Sequence, residues 1–411
     1  MHIDSATDSL SYWHATQEPF IPDDPLPAAA DVVVIGGGML GCWTTYWLAK
    51  SGANVVLLEK NAIGWGATGR NGGFLIEGAA VSYQRLIELL GADAASDFYA
   101  LTIQGQQLAY EIVEGEGIDC GLRRTGTLSL ALSAEELAAI TTQRDLLAAD
   151  GFQTELLDRT GVQQLIHTPL AEEITGGYLA PTGGTLHSSR YIAGLARAAQ
   201  RNGASIVNAD VASVMSAGNA TTVHTYLGPI AAGKVVVALN AWTDALIPEM
   251  NGVIVPTRGQ IISYKPTRRV FTTATGAEIT PTGEYWQQRP DGSIVVGGCR
   301  EDAPNKDSGI REMVTTPHVT AKIEQVMPRL FPELSDLETD RQWAGLMAFT
   351  PDGLPIVDHS ETSENIWYGG GFNGHGMPFG PILGQLLATT VLTGQRAPAL
   401  APLVHTRPSL G

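Results

Sequence analysis

The stretch ADVVVIGGGMLGCWTTYWLAKSGANVVLLEK, residues 30–60, decides the fold. The apolar run at residues 31–35 ends in glycines, residues 39–50 have the composition of a helix, and residues 54–58 form a second apolar run. Short runs rich in β-branched residues are typical of buried parallel strands. Strand, glycine turn, helix and strand in this order predict a βαβ unit.

The glycine turn has the spacing of a nucleotide-binding turn. Gly36 allows the tight turn, Gly38 lets the backbone approach a pyrophosphate, and Gly41 lets the helix pack close to the strand. The helix N-terminus then offers amide donors and a partial positive charge to phosphates. Glu59, at the end of the second strand, suits a ribose hydroxyl pair. Because strand, helix, second strand and terminal acid occur together, the turn predicts a dinucleotide site.

Composition excludes several classes of protein. The 411 residues contain 42 acidic and 25 basic side chains, for a net charge of −17, whereas nucleic-acid binders carry a basic surface. A hydrophobic content of 44% with 16% charged residues indicates an ordinary globular protein. The apolar stretches are too short or too polar to span a bilayer. We therefore expect no nucleic-acid partner and no membrane span.

Cysteine usage and the N-terminus indicate a cytoplasmic location. Cys42, Cys120 and Cys299 are isolated and have no CxxC spacing, so neither a disulfide framework nor a metal site is expected. The first twenty residues lack the basic and apolar regions of a signal peptide. A reducing cytoplasm is the expected environment.

The pattern along the chain predicts two interleaved domains after an N-terminal arm. The expected fold class is α/β plus α+β, with a Rossmann-type nucleotide domain interrupted by a mixed-sheet domain. The predicted ranges are 1–30 for the arm, 31–85, 178–250 and 338–411 for the nucleotide domain, and 86–177 and 251–337 for the substrate domain.

Two further glycine-rich segments distinguish between nucleotides. KNAIGWGATGRNGGF, residues 60–74, places Arg70 in a loop of small residues, where backbone amides can reach a ligand. YGGGFNGHGMPFGP, residues 368–381, precedes a helix expected over residues 382–393, with Pro378 suited to its first turn. Taken alone, the first could be a surface loop and the second a plain helix cap. Neither has a role in an NAD-dependent dehydrogenase.

These motifs resemble the D-amino-acid oxidase superfamily of FAD-dependent oxidoreductases. The likeness is carried by DVVVIGGGMLG, VVLLEK and GWGATGRNGG, and by VVVALNAWTD, QRPDGSIVVGG and WAGLMAFTPDGLPIVD further along. Within the superfamily, the chain is most similar to γ-glutamylputrescine oxidase-type proteins and to glycine and sarcosine oxidase-like proteins. The resemblance implies FAD as cofactor and the interleaved two-domain fold.

The resemblance also implies which residues approach FAD. They fall in the glycine turn, the loop that follows it, two strand ends and the C-terminal glycine-rich segment. The implied cofactor residues are Gly36, Gly38, Met39, Leu40, Gly41, Glu59, Lys60, Ala67, Thr68, Arg70, Asn71, Gly72, Gly73, Val211, Asn240, Ala241, Trp242, Gly345, Phe372, Asn373, Gly374, His375, Gly376 and Met377.

Two departures from relatives bear on chemistry. Sarcosine-oxidase relatives tether FAD through a cysteine that aligns with Gly345, so non-covalent FAD is expected here. Glycine-oxidase relatives place a carboxylate-binding arginine where this chain has Met347, which argues against simple α-amino acids. Arg70 or Arg258 could substitute for that arginine. The substrate candidates are Phe74, Arg258, Tyr285, Trp286 and Met347.

The implied reaction is oxidation of the C–N bond of an amine or amino acid to an imine. Oxygen is the expected electron acceptor, giving hydrogen peroxide. Arg70 and His375 are candidates near the flavin, and no catalytic base is assigned. One alternative is a dehydrogenase of an amine, amino acid or hydroxy acid that passes electrons to a quinone or carrier protein. The others are an NAD-dependent enzyme and a non-catalytic flavin-binding protein.

Overall fold

The structure is a computed structural model and describes residues 9–218 and 220–410. Residues 1–8 of the predicted N-terminal arm lie outside it. The helices within these ranges are α1 (Tyr12–Ala15), α2 (Met39–Lys50), α3 (Tyr83–Leu90), α4 (Ala92–Gly115), α5 (Ala134–Ala149), α6 (Arg159–Leu165), α7 (Ser188–Arg201), α8 (Pro317–Glu324), α9 (Val326–Leu330) and α10 (Gly376–Thr393).

The strands divide between two large sheets and one short pair. They are β1 (Ala29–Ile35), β2 (Val55–Glu59), β3 (Phe74–Leu75), β4 (Thr127–Ala131), β5 (Glu155–Asp158), β6 (Gly176–Ala180), β7 (Gly184–Thr185), β8 (Ser205–Asn208), β9 (Val211–Ala217), β10 (Ala220–Thr225), β11 (Gly228–Val237), β12 (Val255–Tyr264), β13 (Ala274–Ala277), β14 (Glu284–Gln288), β15 (Ile294–Gly297), β16 (Thr339–Phe349), β17 (Ile356–Ser360) and β18 (Ser363–Gly370).

The first sheet contains the βαβ unit predicted from the sequence. Its strand order is β17-β18-β11-β1-β2-β8, with β10 and β9 added beside β11. β1 pairs in parallel with both β2 and β11, so that Val34 lies between Leu57 and Val236. These three side chains are completely buried because both faces of the sheet are covered.

Helices α2, α7 and α10 cover one face of this sheet, where α10 packs directly against α2. Trp43 of α2 and Leu383 of α10 belong to the same apolar cluster and are fully buried. This packing brings the N-termini of α2 and α10 to the same side of the domain, next to the ends of β1 and β11. The site is built at this edge.

The second sheet has the order β16-β12-β15-β14-β13-β4-β6-β5. Its neighbours are antiparallel except for β13 and β4. α8 and α9 pack beside it around a separate apolar cluster that includes Trp286 and Phe331. One face of this sheet therefore packs against the apolar core. Part of the opposite face is turned towards the edge of the first sheet at which the site is built.

Two elements bear on the predicted domain ranges. β16 lies within 338–411, a range predicted for the nucleotide domain, but it pairs with β12 in the second sheet. α4 lies within 86–177, predicted for the substrate domain, yet it packs against α10. We propose that the last nucleotide-domain segment begins after Phe349 and that α4 belongs with the first sheet.

The N-terminal segment before β1 is mostly without regular structure, as its prolines predict. α1 is its only helix among the described residues, and Trp13 of α1 is fully buried. Within residues 9–218 and 220–410, no helix combines the length and the apolar character needed to cross a bilayer.

Candidate active site

In the glycine turn after β1, the backbone at the start of α2 lies close to the backbone of the turn itself. Gly36 has φ of 107°, a conformation that favours glycine. A Cβ atom on Gly41 would lie 1.9 Å from the Gly36 carbonyl oxygen, so a side chain there would force α2 away from β1. The Oγ1 atom of Thr68 accepts a 2.9 Å hydrogen bond from the Met39 amide and joins the helix start to the following loop.

Glu59 lies at the carboxyl end of β2, beside this turn. Its two carboxylate oxygens accept hydrogen bonds from the amides of Gly37 at 2.7 Å and Asn61 at 2.8 Å. Burial raises the pKa of Glu59, while the amide donors of Asn61 and Gly37 act in the opposite direction. The carboxylate is thus fixed in orientation at the wall of the cavity described below.

The loop of residues 60–74 is anchored by Arg70, which is 1% exposed. Its Nε donates to the Trp65 oxygen at 3.0 Å, and its Nη1 donates to the oxygens of Ser9 at 2.7 Å and Ala344 at 3.0 Å. Arg70 therefore joins the loop to the N-terminal segment and to β16. In this position it serves to hold the loop in place.

The N-terminal segment contacts the same loop through two further hydrogen bonds and one ring stack. Ser11 Oγ donates to the Gly69 oxygen at 2.6 Å, and Trp13 Nε1 donates to the Asn71 oxygen at 2.6 Å. The His14 ring stacks on Trp65 with centroids 4.8 Å apart. We call residues 9–16 the N-terminal clamp.

The C-terminal glycine-rich segment leads into α10. Asn373 adopts φ of 52°, and its Oδ1 accepts from the Thr350 amide at 2.9 Å, which ties the segment to the end of β16. His375 caps α10, and its Nδ1 lies 3.3 Å from the Asn373 oxygen, so Nδ1 carries the proton. Burial lowers the pKa of His375, which keeps the ring neutral.

These pieces surround one cavity of about 1130 Å³. It runs from the glycine turn and Glu59, past the loop of residues 60–74 and the start of α10, to the second sheet. The predicted cofactor residues that line it are Gly36, Gly38, Met39, Leu40, Glu59, Lys60, Ala67, Thr68, Arg70, Asn71, Gly72, Val211, Asn240, Trp242, Gly345, Phe372, Asn373, Gly374, His375, Gly376 and Met377.

A family model described as FAD dependent oxidoreductase (DAO) matches residues 31–390, which is most of the chain. The chain belongs to this family. Among the FAD-dependent oxidoreductases, it is 28% identical to the gamma-glutamylputrescine oxidoreductase of Escherichia coli (strain K12), over 96% of this chain and 92% of that protein. It is 27% identical to the sarcosine oxidase subunit beta of Rhizobium meliloti (strain 1021), over 90% and 86%.

Solved structures agree on the fold. Glycine oxidase from Geobacillus kaustophilus superposes with a TM-score of 0.80 at 23% identity, covering 93% of this chain and 99% of that one. L-proline dehydrogenase from P.horikoshii gives a TM-score of 0.78 at 24% identity, covering 92% and 96%. The superfamily, the fold class and the FAD cofactor expected from the sequence are confirmed.

The residues at the cavity fit FAD. A Cβ on Gly38 would meet nothing closer than the Thr68 Oγ1 at 3.4 Å, so the backbone at the start of α2 is open to a pyrophosphate. We propose that Glu59 holds the ribose hydroxyls, and that the start of α10 stabilises negative charge on the flavin's pyrimidine end. Cys42, Cys120 and Cys299 are buried and are not among the residues that line the cavity, in line with non-covalent FAD.

The surroundings of Gly345 leave no room for a side chain at this position. A Cβ there would lie 2.8 Å from the Cβ of Arg70. Because Arg70 is fixed by three backbone oxygens, it cannot move aside without releasing the loop of residues 60–74.

Three predicted cofactor residues do not line the cavity: Gly41, Gly73 and Ala241. Each of them is the direct neighbour in the chain of a residue that does line it.

Two predicted substrate residues, Arg258 and Trp286, do not line the cavity. Arg258 is bound to Asp307, through Nε at 2.9 Å and Nη2 at 2.8 Å, and does not line the cavity. Trp286 is fully buried against Phe271 and Phe331 on the core face of the second sheet. Alternate residues of a strand face opposite sides, so when Tyr285 faces the cavity, Trp286 must face the core.

The remaining substrate candidates, Phe74, Tyr285 and Met347, do line the cavity. The rings of Phe74 and Tyr285 meet edge to face at 5.6 Å. Sequence reasoning missed the N-terminal clamp and Arg300, which also lines the cavity. The aromatic pair in SYWHAT and the arginine that follows the glycines and the cysteine of IVVGGCR were the available signals.

Proposed function

We propose that this protein oxidises the C–N bond of an amine or amino acid to an imine, with molecular oxygen as the acceptor. One observation carries the proposal: the cavity that fits FAD is also walled by Phe74, Tyr285 and Met347, and we call this apolar part of it the chamber. The names of its relatives, which refer to γ-glutamylputrescine and sarcosine, support an amine substrate.

The reaction removes two electrons and two protons from the substrate. A C–H bond and an N–H bond break, and a C=N bond forms between the same carbon and nitrogen. FAD, when bound, takes up the two electrons that the substrate loses. Transfer of those electrons with two protons to oxygen gives hydrogen peroxide. Water then adds to the imine carbon and releases a carbonyl compound and the free amine.

The chain's own contribution is binding, orientation and exclusion of water. The aromatic and thioether side chains of the chamber lower the local dielectric, which favours the neutral amine that the reaction requires. His375 is neutral and its Nδ1–H donates a hydrogen bond to the Asn373 oxygen, so its Nε2 is a hydrogen-bond acceptor. The geometry requires no dedicated base.

The experiment is a product balance in aerated solution. The purified holoenzyme is mixed with each member of a panel of primary and secondary amines, N-methyl amino acids and D- and L-amino acids. The proposal predicts equal amounts of oxygen consumed, peroxide formed and carbonyl product released with at least one amine. Substrate turnover that needs an added quinone or dye, with no oxygen uptake, would instead establish the dehydrogenase alternative.

A further inference from the structure

Arg300 is a charged side chain in the cavity wall whose role neither the FAD site nor the core explains. It lies three residues after the end of β15 and is half-buried. Its guanidinium carbon lies 4.8 Å from the centre of the Phe349 ring, and its Nη1 donates a 3.4 Å hydrogen bond to the Lys306 oxygen. A partly desolvated guanidinium has five donors and is stabilised by an anion.

The two carboxylates whose charges act on Arg300 are each paired with another cation, Glu301 with Lys306 at 3.0 Å and Asp307 with Arg258 at 2.8 Å. The salt bridges within residues 9–218 and 220–410 include none to Arg300. By contrast, Arg311, which also lines the cavity, is 2.7 Å from Asp244. Arg70 donates to the backbone oxygens that hold its loop.

The acidic side chains nearest in the wall are engaged elsewhere or lie at the rim. Glu284 is 2% exposed, and its Oε1 accepts from the Cys299 amide at 3.0 Å and the Thr280 hydroxyl at 2.7 Å. Its Oε2 accepts from the Thr280 amide at 3.0 Å. Glu312 lines the opening and is exposed. Neither carboxylate neutralises Arg300.

The position along β16 of Phe349, the ring that Arg300 contacts, sets the distance between this charge and the reacting atoms. Gly345, Met347 and Phe349 alternate along one face of the strand and line the cavity. Gly345 abuts Arg70 in the loop beside the flavin, and Met347 Sδ is within 3.4 Å of a Cβ position on Gly374. Each same-face step along a strand is roughly 7 Å. Arg300 over Phe349 is thus one step beyond Met347.

We propose that Arg300 binds a carboxylate at the far end of the substrate, separated from the oxidised amine by three or more carbons. This inference rests on the proposed amine oxidation and specifies its substrate class. An α-amino acid, whose nitrogen and carboxylate share one carbon, is too short to bridge a strand step. The bidentate geometry of guanidinium and carboxylate gives the selectivity.

The test uses three N-methyl amines with the holoenzyme: 4-methylaminobutanoate with a distal carboxylate, sarcosine with an adjacent one, and N-methylbutylamine with none. The wild type is expected to prefer 4-methylaminobutanoate. Arg300→Met is expected to lower its kcat/KM by about 10- to 100-fold, mainly through KM, and to leave N-methylbutylamine within about threefold. Arg300→Lys is expected to restore part of the loss. Arg268→Met, which removes an exposed arginine paired with Glu333, is the matched control.

A binding readout keeps this inference separate from the proposed function. Hexanoate, which cannot be oxidised at an amine, is titrated into the oxidised holoenzyme, and perturbation of the flavin spectrum reports binding. Saturable binding that Arg300→Met weakens at least about tenfold supports the distal-carboxylate site even if no amine is turned over. Equal losses on charged and neutral amines, unchanged hexanoate binding, or preference for a diamine would overturn it.

Discussion

The indole Nε1 of Trp13 donates a 2.6 Å hydrogen bond to the backbone oxygen of Asn71. Trp13 is fully buried in the N-terminal clamp, and Asn71 lies in the loop that we place beside the flavin. The Asn71 side chain in turn accepts from the Gly73 amide and the Ser188 hydroxyl at 2.8 and 2.7 Å. A segment before the first strand therefore determines the shape of the FAD site.

Trp13→Phe should weaken FAD binding without unfolding the protein. The substitution leaves a buried carbonyl without its donor, which costs about 1–3 kcal/mol. We expect the FAD dissociation constant to rise about tenfold, measured by fluorescence titration of the apoprotein. The control is Trp47→Phe on α2, which loses a 3.3 Å hydrogen bond to the Pro381 oxygen of α10. Equal FAD affinity in the wild type and Trp13→Phe would show that the clamp is passive.

Gly41→Ala should abolish stable FAD binding. The new Cβ would lie 1.9 Å from the Gly36 oxygen, so α2 must move away from β1 and the pyrophosphate site opens. Overpacking of this kind costs about 1–3 kcal/mol or more, and we expect at least a tenfold loss of affinity. The measurement is the ratio of flavin to protein absorbance after purification. Gly115→Ala, with no atom within 4 Å of the new Cβ, should keep full FAD content.

Acidification should destabilise the protein through His187, which caps α7. Its Nδ1 accepts from the Arg190 amide at 3.2 Å, and its Nε2 lies 2.9 Å from the Thr16 hydroxyl. Burial, followed by the positive charges of Arg289 and Arg190, lowers the pKa of His187 to about 3. The unfolded chain therefore takes up the proton first, so this contribution to stability is complete above pH 6.5 and decreases as the pH falls towards 3.

The slope for His187 is up to about 1.4 kcal/mol per pH unit. His187→Asn retains a capping acceptor but does not titrate, so its urea-unfolding free energy should depend less on pH between 7.5 and 5 than that of the wild type. His318→Asn, at an exposed position on α8, should match the wild type. An unchanged slope in His187→Asn would contradict the assignment.

Arg258→Met should destabilise the fold without changing the substrate preference, which we assign to Arg300. The pair of Arg258 and Asp307 is buried, with side chains 11% and 4% exposed. Removing one partner of such a pair costs about 3–5 kcal/mol. Arg329→Met, which breaks an exposed pair with Glu173, should cost less than about 1 kcal/mol. Urea unfolding measures both, and similar small losses would mean that the buried pair is dispensable.

The sequence predicts local features of the fold with good accuracy. The helix of the βαβ unit is expected over residues 39–50 and is observed as Met39–Lys50, because the glycine turn and Gly52 mark its two ends. β2 is observed as Val55–Glu59, one residue later than expected. Local signals of this kind depend on residues close together in the chain, and a single sequence shows them.

The errors concern contacts between distant residues. Nothing near Arg258 in the sequence shows that Asp307 will neutralise it, and nothing near Trp286 shows which face of β14 is core. The clamp was missed for the same reason, because Trp13 and Asn71 are 58 residues apart in the sequence. α10 begins at Gly376, earlier than the expected residue 382, because Pro378 and Pro381 are tolerated near its start and packed against neighbours.

The most direct test of the central claim is anaerobic reduction of the purified yellow holoenzyme. Amines, amino acids and the matching alcohols and hydroxy acids are added one at a time, and the flavin absorbance is followed. The account predicts that at least one amine bleaches the flavin completely, whereas its alcohol counterpart does not. Bleaching by a hydroxy acid alone, or by no amine in the panel, would contradict the assignment of this site to amine oxidation.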